Sequence, residues 1–272
     1  MIQTTSTTLL DRSRLEGLLI ELANAKSSSL EYNLAERLGY MMGVSGSLNL
    51  ARSLKQLPSN ISGQEVEPYS EVEQEVLSAC RQMMLAITTS FVAQIGSDPE
   101  SDSGEVQLKV PSAVGLRLKA LQTFDPYQRF YVAQQTEMAM GLQKLRYRIR
   151  KSLSGMSVEL NQLAELDQAM DDNLAAHTRK LFNVIPKLLE QRFKFLLAQH
   201  YKKADEEKNT DELAQWLEPN GWLALFYQDM REMLLAEFDV RLQPILGLLE
   251  ACLLYTSPSP RDLSTSRMPS SA

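Results

Sequence analysis

The sequence predicts an all-α fold: an elongated antiparallel helical bundle with long coiled-coil-like helices and a small N-terminal helical subdomain. Three observations predict it. First, Ser157 to His200 reads as one long amphipathic helix, with Leu160, Leu163, Met170, Leu174, Leu181, Val184, Leu188 and Phe195 at coiled-coil spacing. Second, aromatics make up only 7% of the chain while Leu, Ala, Gln, Glu, Lys and Arg abound, a balance that favours helices over strands. Third, a chain of 272 residues that is 44% hydrophobic and 23% charged can bury a core and has ordinary globular composition.

Taken in order, residues 1–57 read as the small helical subdomain. Leu15, Leu18, Leu19 and Leu22 share one helical face, with Asp11 or Ser13 as N-cap. After the break at Ser27-Ser28-Ser29, Leu30, Leu34, Leu38 and Met41 form a second stripe. Gly43 and Gly46 mark a turn. Leu50, Leu54 and Leu57 suggest a third short helix, stopped near Pro58.

Residues 58–251 read as the long-helix bundle, with flexible segments at about 97–123 and 201–219. Ser70 and Glu73 form a capping box. Val72, Val76, Cys80, Met83, Ile87 and Phe91 then define a helix to about Gln94. The acidic stretch Gly96 to Gly104 is a linker, and a short strand around Val106–Val110 is one option for the ambiguous segment that follows. Asp125-Pro126 starts a helix cleanly, Asp as N-cap and Pro at the first helical position. That helix has Met138, Leu142, Leu145 and Ile149 as its seam and Gly155 as its stop. The organising helix folds back beside it, kinked by Pro186 near Phe182–Asn183. A charged connection from Tyr201 to Leu217 leads to a last helix over 220–243. There Leu223, Phe226, Tyr227, Met230, Leu234 and Phe238 face inward, and Pro244 ends or bends the helix.

Residues 252–272 are expected to be disordered. Cys252 to Asp262, and again Ser266 to Ala272, resemble translated read-through of a transposase-type sequencing-library adapter. The segment is rich in Ser and Pro, and its composition does not favour packing. The natural chain is expected to continue differently beyond Ala251.

Charge and composition narrow the function. The formal net charge of −6 argues against a general nucleic-acid binder. The charge is unevenly placed: residues 1–104 carry 7 basic and 13 acidic side chains, 105–151 carry 9 and 3, and 152–251 carry 10 and 17. A basic middle between acidic flanks suits complementarity between packed helices. Two Cys argue against a disulfide framework or a Cys-rich zinc site and fit a reducing cytosol. No basic leader followed by an apolar run opens the chain, and no run of about 18 apolar residues occurs. A cytoplasmic location is therefore expected.

Phosphate-loop, dinucleotide and nucleophile-elbow motifs are lacking. His177 falls in the predicted seam with Asp167 and Asp171 before it. A metal ligand or pH switch is one reading, but no Glu-x-x-His pair occurs, and a packed polar residue that sets register is the better one. His200 suits the carbonyl end of its helix. Cys80, on an apolar face, reads as a small hydrophobe. No catalytic residue, cofactor or metal is expected, although a paired-carboxylate site stays open. The most informative feature is the basic run Lys144, Arg146, Arg148, Arg150 and Lys151, with Arg129 beside Tyr127, Phe130 and Tyr131 upstream. Arg146 and Arg150 flank one side of the seam, and Lys144, Arg148 and Lys151 the other. Such flanking charge suits an acidic helix, internal or of a partner. Nucleic acid or an anionic surface is the alternative for 129–151.

A family resemblance adds to this. It rests on Phe124-Asp125-Pro126-Tyr127-Gln128-Arg129, Ala133-Gln134-Gln135, Leu163-Ala164-Glu165-Leu166-Asp167, Ile185-Pro186-Lys187-Leu188-Leu189-Glu190-Gln191-Arg192-Phe193, and Asp229-Met230-Arg231 to Arg241-Leu242-Gln243-Pro244. With these the chain resembles the proteobacterial domain-of-unknown-function family numbered three thousand three hundred and forty-eight. The likeness covers most of the chain to Ala251 and is weaker over 58–120 and 201–220. No activity transfers from that family. Its members tend to be encoded beside inner-membrane proteins resembling proton-channel stators and peptidoglycan binders. The resemblance therefore implies an envelope-machine accessory, with a stator-like inner-membrane protein as partner. The expectation is a non-enzymatic cytoplasmic interaction or scaffold protein, self-associating or docked to such a partner.

Overall fold

A computed structural model describes residues 14, 18, 34–60, 69–91, 109–111, 118–207 and 213–256. Among them are eight α-helices and no strand: α1 Leu34–Lys55, α2 Tyr69–Ser90, α3 Leu118–Leu121, α4 Asp125–Met156, α5 Val158–Phe182, α6 Ile185–Glu207, α7 Leu213–Trp216 and α8 Trp222–Thr256. The chain is all-α. Most of the leucine face at Leu15–Leu22, and Val106–Leu108 of the possible strand, lie outside the described residues. So does 257–272 of the expected tail.

Five local expectations change. The turn at Gly43 is a break within α1: Gly43 has φ of 63°, a left-handed conformation that only glycine takes without strain, and the helix resumes to Lys55. Gly155 does not end α4, which runs on to Met156. The stop comes instead at Ser157, whose hydroxyl accepts from the Leu160 amide at 3.1 Å and caps α5. Pro186 does more than kink the organising helix. It lies in the first turn of a new one, where its missing N–H costs nothing, and Val184 precedes that turn with its carbonyl accepting from Leu188 at 3.2 Å. α6 then carries the chain helically through Lys202 and Lys203 to Glu207, where a loop was expected. Finally, α8 passes through Pro244 to Thr256, so residues 252–256, expected to be disordered, are helical and Cys252 is buried. Ile245, Leu248, Leu249 and Cys252 are buried along one stripe after the proline, and that burial offsets a loss of about 3 kcal/mol.

The buried stripe is also out of phase with the expected seam, already at Phe182 within α5. Leu181, Val184 and Phe195, expected in the seam, are 48%, 46% and 48% exposed. The buried stripe is Phe182, Ile185, Leu189, Phe193 and Leu196. Before the break, Leu160 and Ala164 are buried, whereas Leu163, Met170 and Leu174 are half-buried. Phe182, Leu189 and Leu196 keep heptad spacing across the turn, one residue later than the expected seam at Leu181 and Leu188 and at Phe195.

The chain divides into two compact units. Unit 1 comprises Met1–Met41, Ser78–Gly141 and Ala175–Arg241. Its core is aromatic. Phe193 of α6 packs against Tyr127 of α4 and Phe226 and Trp222 of α8 at ring distances of 5.4, 5.1 and 5.5 Å. Phe91, just past α2, meets Phe130 edge-on at 5.3 Å. Tyr127 donates to the Leu121 carbonyl at 3.0 Å, and Tyr227 donates to the carbonyl of Pro111, so both phenols are satisfied where they are buried. Unit 2 comprises Met42–Leu77, Leu142–Leu174 and Leu242–Ala272. Its core takes Leu142, Leu145 and Ile149 from α4, the seam the spacing predicts. It adds Val72 and Val76 from α2, Leu160 and Ala164 from α5, and Leu248 and Cys252 from α8. Asn161 and Gln162 donate to the carbonyls of Asn60 and Pro58 at 2.9 Å each, which ties the chain after α1 to α5.

Candidate interaction surface and buried polar clusters

The six basic residues singled out by the sequence all lie on α4, and 100° per residue sends them to different fates. Arg146 and Arg150, four apart, point together at α5. Arg146 holds Asp167 through Nε and Nη2 at 2.8 and 2.6 Å and Asp171 through Nη1 at 2.7 Å. Arg150 holds Asp167 at 2.6 Å and Asp171 at 3.1 Å and also donates to Gln168 and to the Asp167 carbonyl. Two guanidinium groups and two carboxylates thus neutralise one another. Arg146 reaches Asp171, 25 residues further along the chain, so α5 folds back beside α4 and the two helices form an antiparallel hairpin in unit 2. Arg148 points to the other side and pairs with Glu75 of α2. Arg129, Lys144 and Lys151 are exposed. Arg129 donates to the Asp125 carbonyl of its own helix at 3.4 Å.

What remains on the outer face of the hairpin's first helix is Lys144, Tyr147 and Lys151, at positions i, i+3 and i+7. Tyr147 is 63% exposed, an aromatic side chain left in water between two lysines. This face lies opposite Leu145 and Ile149 on the helical wheel and is exposed.

The second polar cluster, in unit 1, was not recognised as a site from sequence. Glu237 of α8 is fully buried. Gln135 donates to its Oε2 at 2.7 Å and Tyr131 at 3.3 Å, while Arg241 donates from Nε and Nη2 to Oε1 at 2.8 and 2.7 Å. The Arg241 guanidinium lies over the Phe182 ring, 3.9 Å from its centre. Gln135 also reaches the Phe182 carbonyl at 3.4 Å, where α5 ends. Burial pushes the Glu237 carboxyl above its ordinary range, and Arg241 leads the groups that pull it back. Burial, with the Glu237 charge behind it, holds the Tyr131 phenol well above its usual value. A signal for this cluster was present: Glu237 continues the inward stripe Met230, Met233, Leu234, and Arg241 follows one turn later.

Neither histidine joins either cluster. His177 is half-buried on α5, and the His200 ring lies 6.1 Å from both Trp216 and Trp222. Burial raises both the Cys80 and Cys252 thiols, which disfavours their thiolates. Cys252 itself is buried in α8, with Met156 beside it at 3.8 Å between sulfurs. No group of three metal-ligating side chains occurs among the described residues, and none of their helices is long and apolar enough to cross a membrane.

A family model described as protein of unknown function (DUF3348) matches residues 1–253. The chain belongs to DUF3348. The match takes in α1 to α7 and α8 as far as Leu253, so both polar clusters and the exposed face of α4 lie inside the DUF3348 region. No curated protein and no solved structure matches the chain.

Proposed function

We propose that this DUF3348 chain is a non-enzymatic scaffold, an elongated antiparallel helical bundle in the cytoplasm that acts through exposed helix faces. The observation that carries the reading is the division of labour on α4. Arg146, Arg148 and Arg150 are engaged by Asp167, Asp171 and Glu75, while Tyr147 and its flanking lysines stand in water. Exposed aromatic and long basic side chains are the material of protein interfaces. The partner is a protein: a second copy, or a component of an envelope machine such as a stator-like inner-membrane protein.

The second reading is an anionic ligand, nucleic acid or a lipid surface, on Arg129, Lys144 and Lys151, which are all exposed. Reversing Arg146, Arg148 and Arg150 would test folding rather than binding, because they hold α4 to its neighbours. The informative variant is Lys144→Glu with Tyr147→Ala and Lys151→Glu. Proximity labelling in native cells is expected to mark defined proteins with the wild-type chain and to lose them with the variant. Salt-dependent binding to DNA or anionic vesicles, lost in the same variant, would replace the scaffold reading with the second one.

A further inference from the structure

The outer flank of the α4–α5 hairpin carries two patches of opposite charge with the same spacing. On α4 the patch is Lys144, Tyr147 and Lys151; on α5 it is Glu165, Gln168 and Asp172. Both follow i, i+3, i+7, and the four charged residues are exposed. Glu165 and Asp172 point away from Glu159, which accepts from Tyr255 of α8 at 3.0 Å and so marks the opposite side of α5. Tyr147 likewise points away from Leu145 and Ile149 in the core. The two patches therefore share the hairpin flank turned from α8.

Their registers match as well. Arg146 and Arg150 each hold both Asp167 and Asp171, so residues 144–151 of α4 lie alongside residues 165–172 of α5. Lys144 then lies near the level of Asp172, and Lys151 near that of Glu165, to within about one helical turn. Within one hairpin the lysines splay outward, off the far edge of α4. A second hairpin related by a two-fold axis parallel to the helices would place its α4 over this α5, and its α5 over this α4. Each lysine then meets a carboxylate, and each Tyr147 settles over Gln168 between Glu165 and Asp172. Gln168 is already oriented, taking a hydrogen bond from Arg150 and giving one to Asp172 at 2.9 Å.

We propose that this flank is a self-complementary interface and that its occupant is a second copy of the chain, paired isologously through Lys144–Asp172, Lys151–Glu165 and Tyr147–Gln168. A patch that carries its own complement at equal spacing fits a copy of itself, which closes as a dimer. The inference deepens the scaffold reading and rests on it. The interface is small and its ion pairs are exposed, so the dimer is weak and salt-sensitive.

Sedimentation of the full-length chain, in reductant, over about 1 to 100 µM tests it. The wild type is expected to pass from monomer to dimer, and raising salt from about 0.05 to 0.5 M shifts the midpoint to higher concentration. Lys144→Glu with Lys151→Glu is expected to weaken the dimer at least tenfold, and Glu165→Lys with Asp172→Lys the same. The four substitutions together restore it, which a folding defect could not do. A wild-type chain that stays monomeric throughout overturns the proposal, as does a dimer indifferent to both reversals. If the monomeric wild type still labels its cellular proteins, the scaffold reading stands without this interface. If it instead binds phosphatidylglycerol vesicles through Lys144 and Lys151, both readings fall.

Discussion

Glu237 shows how much one side chain can demand of a fold. A carboxylate taken wholly out of water is tolerated because Arg241, Gln135 and Tyr131 all donate to it. Glu237→Leu would strand the Arg241 guanidinium on the Phe182 ring and leave two further donors without an acceptor. The expected loss is about 3–5 kcal/mol by urea denaturation. The pH dependence has a definite sign. The folded chain holds the Glu237 proton more tightly than the unfolded chain, because burial raises its carboxyl. Its contribution to stability is complete below the ordinary carboxylate range and is lost as pH rises through the raised value. Urea titrations over about pH 4 to 8 should show this fall, and Glu237→Gln should flatten it. Asp167 serves unit 2 in a similar way, taking hydrogen bonds from both Arg146 and Arg150. Asp167→Ala should cost about 2–4 kcal/mol, with Asp167→Asn in between, because two charged donors lose their shared acceptor.

At the scale of elements, two glycines of the last helix region should respond in opposite directions. A Cβ on Gly221 would lie 2.3 Å from the Trp216 carbonyl oxygen, so the turn between α7 and α8 closes only around a bare Cα. Gly221→Ala is expected to lower Tm. Gly247 lies inside α8 with open space around its missing Cβ. Gly247→Ala is expected to stabilise the chain by about 0.5–1 kcal/mol, since it removes backbone freedom from the unfolded state without a clash. Elements of this kind were legible from sequence wherever a cap and a stripe agreed. Asp125-Pro126 and the seam Met138 to Ile149 gave α4, and the stripe from Leu223 to Phe238 gave the inward face of α8. Legibility failed where one local signal competed with tertiary packing. Pro244 is a helix breaker by propensity, but apolar burial after it carries the helix through, whereas Gly155 lies within one residue of the end of α4. Conversely, the seam through Leu181, Val184 and Phe195 was displaced from the buried face, because spacing alone does not say which of two adjacent apolar residues, Leu181 or Phe182, turns inward. The basic run was visible as composition, while its split into engaged arginines and exposed lysines depends on where α5 and α2 lie.

For the whole molecule, a formal charge of −6 and a pI near 5.2 keep the chain repelling its neighbours at neutral pH. Solubility measured against pH should pass through a minimum near that pI, where repulsion vanishes and exposed side chains such as Leu85, Met140 and Tyr147 can meet. Each unit is assembled from segments distant in sequence, and such non-local contacts slow folding relative to a bundle built from neighbouring helices alone.

The placement of the two indoles has a practical consequence. Trp216 and Trp222, the chain's only tryptophans, lie with ring centres 5.5 Å apart in unit 1 beside His200, and both are buried. Their emission at 295 nm excitation therefore reports the solvent exposure of one half of the protein. A denaturation curve followed by intrinsic fluorescence should red-shift when that half opens and stay blind to Leu142–Leu174, whereas far-ultraviolet dichroism weighs every helix. Agreement or separation of the two curves will measure directly whether the halves melt as one.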